Sequence, residues 1–194
     1  MENTTERHHE ARKMNMHDFR VDTTIDAGIE AVMRFQSIRR WHMIDTTRQQ
    51  SIGEHSANVA LLAFYIASTV PDGYFGPPTS ILAPALLHDL PEVFIGDIPT
   101  HTKKYLMGVD ELEERLTPSV FNVVATDDKA LLIKLCDLAD GIRFIEKFGV
   151  DRVAIFAMKG LEAQLQAKFI QARAKWPSEV YEVMQAAIST YIYQ

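Results

Sequence analysis

Apolar side chains recur at three- and four-residue spacing along most of the chain, the periodicity of a helix with one buried face. Ile25, Ile29, Val32 and Met33 follow it and predict a first helix over about residues 24–37. The polar, broken stretch 39–50 predicts a loop. Ser51-Ile52-Gly53-Glu54 has the form of a capping box, in which the Ser hydroxyl and the Glu carboxylate each satisfy a free amide. A second helix should run from there to about residue 69, with Val59, Leu62, Ile66 and also His55 on its apolar face. Residues 71–78, rich in Pro, Asp and Gly, predict a turn-rich loop. A third helix is expected from about residue 80, with Pro84 tolerated near its first turn and Pro91 kinking or ending it. A charged helix should cover about 110–116, up to Pro118. Thr126 or Asp127 then caps a helix to about residue 148, where Leu131, Leu135, Leu138, Ile142 and Ile145 form a buried stripe and Gly149 stops it. Two more helices, about 151–175 and 178–192, are separated by Pro177. No alternating apolar run bounded by turns predicts a strand. The expected fold class is all-α, a single-domain bundle of about seven helices.

Composition narrows the function classes. The 194 residues suit one domain, expected over 23–194 behind a polar tail at 1–22. His8, His9 and His17 fall in that tail and read as solvated. A hydrophobic fraction of 47% excludes disorder along the whole chain. The single cysteine, Cys136, excludes an intrachain disulfide and a cysteine-based zinc site, and fits a reducing, cytoplasmic compartment. Lys and Arg number 20 against 26 Asp and Glu, a balance that argues against a nucleic-acid polymer or an anionic membrane as partner. The longest apolar stretch, 59–66, is too short to cross a bilayer, and the N-terminus lacks the apolar core of a signal peptide.

Three places put charge where a helix should be apolar. His55 shares a face with Val59 and Leu62, His88-Asp89 directly follows the run 82–87, and Asp137 interrupts 131–138. A buried carboxylate costs several kcal/mol, of order 3–5, unless it is compensated. Two imidazoles and two carboxylates converging from three helices would be compensated together by one divalent cation. Such an open nitrogen and oxygen set suits catalytic Mn²⁺, Fe²⁺, Co²⁺ or Zn²⁺. There is no Gly-rich phosphate loop and no Gly-x-Ser-x-Gly, and Cys136 sits in the buried stripe, so Ser or Cys nucleophilic catalysis is not expected.

The ordered set Arg40-Trp41, Glu54-His55-Ser56, His88-Asp89 with Glu92, Gly96-Asp97, Pro99-Thr100 and Asp137 resembles the HD-domain metal phosphohydrolases, and within them the 5′-deoxynucleotidase family. The resemblance spans about residues 25–150. It implies a helical bundle holding one divalent metal ion (Co²⁺, Mn²⁺, Zn²⁺, Fe²⁺ or Mg²⁺) through His55, His88, Asp89 and Asp137, and it implies a homodimer or higher homo-oligomer. Asp140, three residues beyond Asp137, competes for the last position; the spacing after Lys134 matches the family best at Asp137 and leaves Asp140 a solvated or hydrogen-bonding role.

The same resemblance implies hydrolysis of the 5′ phosphoester of a deoxynucleotide. Glu92 is expected to act as general acid or base or to orient water, and Arg40 to clamp the phosphate and offset its charge. Trp41 offers a flat wall against which a 2′-hydroxyl would lose its hydrogen bonds. Asp97 is expected at the sugar hydroxyl, Ile98, Pro99 and Thr100 as adjoining wall, and Asp89 and Asp137 near the phosphate as well as the metal. A monophosphate is the expected substrate. The doubled basic pairs Arg39-Arg40 and Lys103-Lys104 keep a triphosphate, held in part by Lys103, as the alternative. A nucleotide-binding regulator without turnover and a cyclic-nucleotide phosphodiesterase are further alternatives; Glu92 beside a full ligand set favours an enzyme.

Overall fold

The computed structural model describes residues 25–98, 103, 105–121 and 123–194. The segment 1–22 with its three histidines, and Pro99, Thr100 and Lys104, lie outside the described residues. Among the described residues the chain forms eight α-helices: α1 (Ile25–Arg34), α2 (Ile52–Thr69), α3 (Leu82–Leu86), α4 (Glu92–Ile95), α5 (Val109–Leu116), α6 (Asp127–Phe148), α7 (Arg152–Lys175) and α8 (Ser178–Tyr193). Strand pairing there is limited to two isolated bridges, Arg39 with Ser51 and Thr46 with Gly149, so the chain is all-α. None of the described helices is long and apolar enough to cross a membrane.

The core lies between α2, α6, α7 and α8. It is built from residues such as Val59, Ile66, Leu132, Leu135, Ile142, Phe169, Met184 and Ile188, the last two wholly buried. A smaller cluster of Ala31, Leu90 and Val93, with Phe35, Leu87 and Phe121 against it, packs α4 and the preceding turn onto α1. That cluster takes the apolar residues between His88 and Glu92 and so fixes how those polar side chains are presented.

Two local expectations need correction, and a third, that Gly149 ends the long helix, holds for a different physical reason. The third helix is not continuous. A 3₁₀ turn over Pro78–Ile81 leads into the short α3, Leu87 leaves helical geometry at φ −104, ψ 3, and α4 starts only after Pro91. Pro91 has no N–H to donate backwards and disfavours helical geometry at Leu90. His88 and Asp89 therefore sit in a turn, and the charged residues converge from two helices and a turn rather than three helices. The capping box is only half made: Ser51 Oγ accepts from Glu54 N at 3.1 Å, but the Glu54 carboxylate binds the Arg48 guanidinium. Gly149 ends α6 without a left-handed residue, at φ −71. It is glycine because a Cβ there would lie 2.7 Å from Ile145 O and 2.8 Å from Ala154 Cβ, where α7 turns back.

Candidate active site

His55 enters the site from the first turn of α2 and is completely buried. Its Nδ1 lies 2.7 Å from Asp140 Oδ2. Its Nε2 faces Asp137 Oδ1 at 3.2 Å and Asp89 Oδ2 at 3.3 Å. His88 is oriented by its Nδ1, 2.7 Å from the carbonyl oxygen of Ala85. A carbonyl only accepts, so Nδ1 carries a proton and Nε2 is the ring atom turned toward the carboxylates. That Nε2 lies 3.3 Å from Asp89 Oδ2. Neither Nε2 atom has a hydrogen-bond partner in the protein, although both are buried.

One donor atom each from His55, His88, Asp89 and Asp137 lies within 4.8 Å of all the others. Two imidazole nitrogens without partners and two carboxylate oxygens form a set that fits Zn²⁺, Fe²⁺, Co²⁺ or Mn²⁺. The electrostatics point the same way. Burial and Arg40 push the His55 pKa down, but Asp137, Asp140 and Asp89 outweigh them and raise it to about 10. The three carboxylates thus demand positive charge at this point, which a divalent ion supplies in place of a proton. Against burial, His88, His55 and Arg40 hold Asp89 below the usual carboxylate range, and His55 with Lys134 does the same for Asp137.

Arg40 and Lys134 flank Asp137, at 3.8 Å and 2.6 Å from its two oxygens. Burial opposes the charge on Arg40, but Asp89, Asp137, Asp97 and Glu92 raise its pKa and keep it ionised. Its Nε and Nη1 are buried without acceptors. Glu92 Oε2 is likewise buried and unpartnered. Burial, reinforced by Asp89 and Asp97, pushes the Glu92 carboxyl up to about 9, so it holds its proton at neutral pH. Arg40 and Glu92 thus bring two N–H groups and a protonated carboxyl, none of them satisfied by the protein, to the neighbourhood of the four clustered residues.

Trp41 follows in the loop at φ 63, a left-handed geometry costing about 1–3 kcal/mol for a bulky side chain. Its N–H donates to Asp97 Oδ2 at 3.2 Å and its indole N–H to Gln50 Oε1 at 2.9 Å. The ring stacks on Phe144 at 6.2 Å, with Arg40 above it at 5.1 Å. The ring also lies over Gly141 of α6, where a Cβ would meet it at an ordinary contact of 3.5 Å. Trp41 is thus both packed and beside the polar cluster. Ile98 is half-buried one residue beyond Asp97. Lys103 does not join the cluster: its ammonium is 2.7 and 2.8 Å from the two oxygens of Glu113.

Sequence reasoning missed the shell that holds His55. Asp140 accepts four hydrogen bonds, from His55 Nδ1, Gln50 Nε2 at 2.8 Å, Asn58 Nδ2 at 3.0 Å and Tyr191 Oη at 2.6 Å. Asn58 was within reach, lying three residues after His55 on one helix face. Gln50 and Tyr191 carry no local signal, since Tyr191 arrives from α8. Lys134 was a spacing marker in the sequence and is an ion-pair partner in the structure. A groove of about 650 Å³ between α2 and α8 touches the site only through Asn58 and Tyr191. Burial, with Asp137 and Asp140, drives the Cys136 thiol well above its ordinary pKa, which leaves it inert.

The profile of the family described as 5′-deoxynucleotidase YfbR-like matches residues 29–142. A dATP triphosphohydrolase of Salmonella phage PMBT28 is 29% identical over 154 residues, covering 75% of this chain and 79% of the relative. The 5′-deoxynucleotidase YfbR of Escherichia coli O1:K1 is 26% identical over 160 residues, covering 70% and 80%. The Cyanophage S-2L HD phosphohydrolase DatZ, solved with dA and one catalytic Zn²⁺ ion, superposes with a TM-score of 0.71 at 26% identity, covering 84% of this chain and 95% of that one. With its family profile, fold and four-residue donor cluster in agreement, this chain belongs to the YfbR-like 5′-deoxynucleotidase family and is a metal-dependent HD-type phosphohydrolase.

Proposed function

We propose that the enzyme hydrolyses the bond between the 5′ oxygen and phosphorus of a 2′-deoxynucleoside monophosphate, releasing deoxynucleoside and phosphate, with one divalent ion held by His55, His88, Asp89 and Asp137. The observation that carries this reading is the set of buried polar atoms the protein itself leaves without partners: both histidine Nε2 atoms, two Arg40 nitrogens and Glu92 Oε2. A metal ion, an anionic group and a proton acceptor satisfy them in turn. When bound, the ion polarises a phosphoryl oxygen and lowers the pKa of a water.

The residues of the chain do the rest. Arg40 donates Nε–H and Nη1–H to phosphoryl oxygens and keeps its charge while doing so. Lys134 adds a second positive charge at Asp137. Water adds to phosphorus, the bond to the 5′ oxygen breaks, and that oxygen leaves with the bonding pair. Glu92 supplies its proton to the leaving oxygen. Trp41 stands against the 2′ carbon, and a hydroxyl there would be stranded without a partner. Asp97 accepts from a sugar hydroxyl, and Ile98, with Pro99 and Thr100, continues the wall.

A triphosphate is the second reading, favoured by the relatives named dATP triphosphohydrolase. The same bond would break and triphosphate would leave. Two features support the monophosphate. Lys103 must give up Glu113 to meet a phosphate tail. The cavity of about 380 Å³ beside His88 also has Glu113 and Glu114 in its wall, which repel further phosphates. The scarcity of cysteine, with Cys136 alone in the sequence, is in keeping with a cytoplasmic location. Val153, Ile155 and Phe156, exposed together at the start of α7, support a homodimer or higher homo-oligomer, and light scattering should return at least twice the chain mass.

The test is a product screen of deoxynucleoside mono-, di- and triphosphates with ribonucleotide controls, in Co²⁺, Mn²⁺, Mg²⁺ and Zn²⁺. Phosphate released from deoxynucleoside monophosphates alone is expected. Triphosphate release weakened by Lys103→Ala would select the second reading, and equal turnover of ribonucleotides would remove the sugar-wall role of Trp41.

A further inference from the structure

Gln50 stands at the end of the loop before α2 and is 1% exposed. Its Oε1 accepts from the Trp41 indole at 2.9 Å, and its Nε2 donates to Asp140 Oδ2 at 2.8 Å. The indole can only donate and the ionised carboxylate can only accept, so a single orientation of the amide serves both. Asp140 Oδ2 is also the atom that meets His55 Nδ1. A continuous chain of three hydrogen bonds therefore joins Trp41 to Gln50, to Asp140 and to His55.

Trp41 needs that tie. Its backbone is in the left-handed region, which a tryptophan does not adopt of its own accord, so its position is imposed from outside. The N–H is held by Asp97 and the indole by Gln50. His55 is less dependent on the link, because Asp140 keeps the His55, Asn58 and Tyr191 bonds when Gln50 is lost. We propose that Gln50 is a positioning residue for sugar selection: it holds the Trp41 ring in register with the metal ligand His55 and thereby sets the preference for 2′-deoxyribose. The inference rests on the functional reading above, and it assigns to Gln50 an effect on sugar choice rather than on metal retention.

The experiment compares wild type, Gln50→Met, Trp41→Phe and the double variant. Sugar preference is read as the ratio of kcat/KM for a deoxynucleoside over a ribonucleoside monophosphate. Zinc affinity and the two tryptophan indole N–H signals in ¹⁵N-labelled protein are measured alongside. Trp176, whose indole donates to Asp128 at 2.9 Å, is the internal control. In Gln50→Met, the Trp41 indole proton should exchange at least tenfold faster and the Trp176 signal should not move. The sugar preference should fall at least tenfold, mainly through KM for the deoxynucleotide, while zinc affinity stays within threefold. Because Trp41→Phe cuts the same hydrogen bond from the other end, the double variant should lose no more than about threefold beyond the worse single one. It also supplies the measurement if Gln50→Met fails to fold. Unchanged sugar preference in Gln50→Met (or in Trp41→Phe, where Gln50→Met does not fold), additive losses in the double, or a zinc loss exceeding the loss of preference would each overturn the proposal. A wild type without any sugar preference would instead overturn the functional reading beneath it.

Discussion

Replacing Asp140 by leucine tests whether the hydrogen-bonded carboxylate readies His55 for the metal-binding role proposed above. The side chain is 3% exposed and takes four donors. Asn58 and Tyr191 also line the groove between α2 and α8 and can turn toward water once released. Gln50 Nε2 and His55 Nδ1 cannot, because both residues are buried. Two buried polar atoms left without a partner, at about 1–3 kcal/mol each, cost roughly 4 kcal/mol. For a domain of this size that is a fall in Tm of about 8–16 °C, at 2–4 °C per kcal/mol. Without an acceptor at Nδ1 the His55 proton is free to move to Nε2, the atom that faces Asp89 and Asp137, and metal affinity should fall about 10- to 100-fold. Asp140→Asn is the contrast. Its amide oxygen can face His55 and Gln50 while its NH₂ donates to the Tyr191 hydroxyl, so the two buried donors keep their acceptor, and Asn58, which loses its own, can turn toward the groove. It should bind zinc better than Asp140→Leu. Chelator-competition titration with Zn²⁺ and calorimetry of the metal-free proteins measure both effects. Zinc affinity in Asp140→Leu within twofold of wild type would refute the role given to this carboxylate.

Other outcomes follow from the same geometry. Glu92→Gln should lose about 10²- to 10⁴-fold in kcat while keeping one metal per chain by elemental analysis. The Glu92 carboxyl titrates near 9 when folded and near the ordinary Glu value when unfolded, so the folded state binds the extra proton between those limits. Stability of the metal-free wild type should therefore decline as pH rises from about 5 to 9, and Glu92→Gln should flatten that slope in denaturant titrations. Arg40→Lys should reduce kcat/KM about 100-fold with unchanged metal content, since an ammonium cannot replace two guanidinium N–H groups aimed at one anion. Gly149→Ala forces a methyl into the Ile145 carbonyl and the Ala154 methyl and should cost about 1–3 kcal/mol, read as a lower urea midpoint.

Periodicity, with Ser51, Thr126 or Asp127, Gly149 and Pro177 marking the ends, placed α2, α6, α7 and α8 to within a residue or two, because both the buried stripe and the end signals are written locally. It also exposed His55, His88, Asp89 and Asp137, since ionisable groups among apolar neighbours stand out without any coordinates. The broken third helix was less legible: proline chemistry announces an ending, but only packing of Leu87, Leu90 and Val93 on α1 decides that His88 and Asp89 are presented from a turn. Glu54 shows the same limit, its carboxylate being taken by Arg48 instead of its own helix end. The support of His55 was illegible for a physical reason. Asp140 draws its donors from positions 50, 55, 58 and 191, and hydrogen bonds between residues so far apart in the chain leave no spacing to read. Residue types by themselves marked which ionisable groups fall among apolar neighbours; the closure of α8 and the loop before α2 over α6 decided which of the buried polar atoms the protein satisfies and which it leaves without a partner.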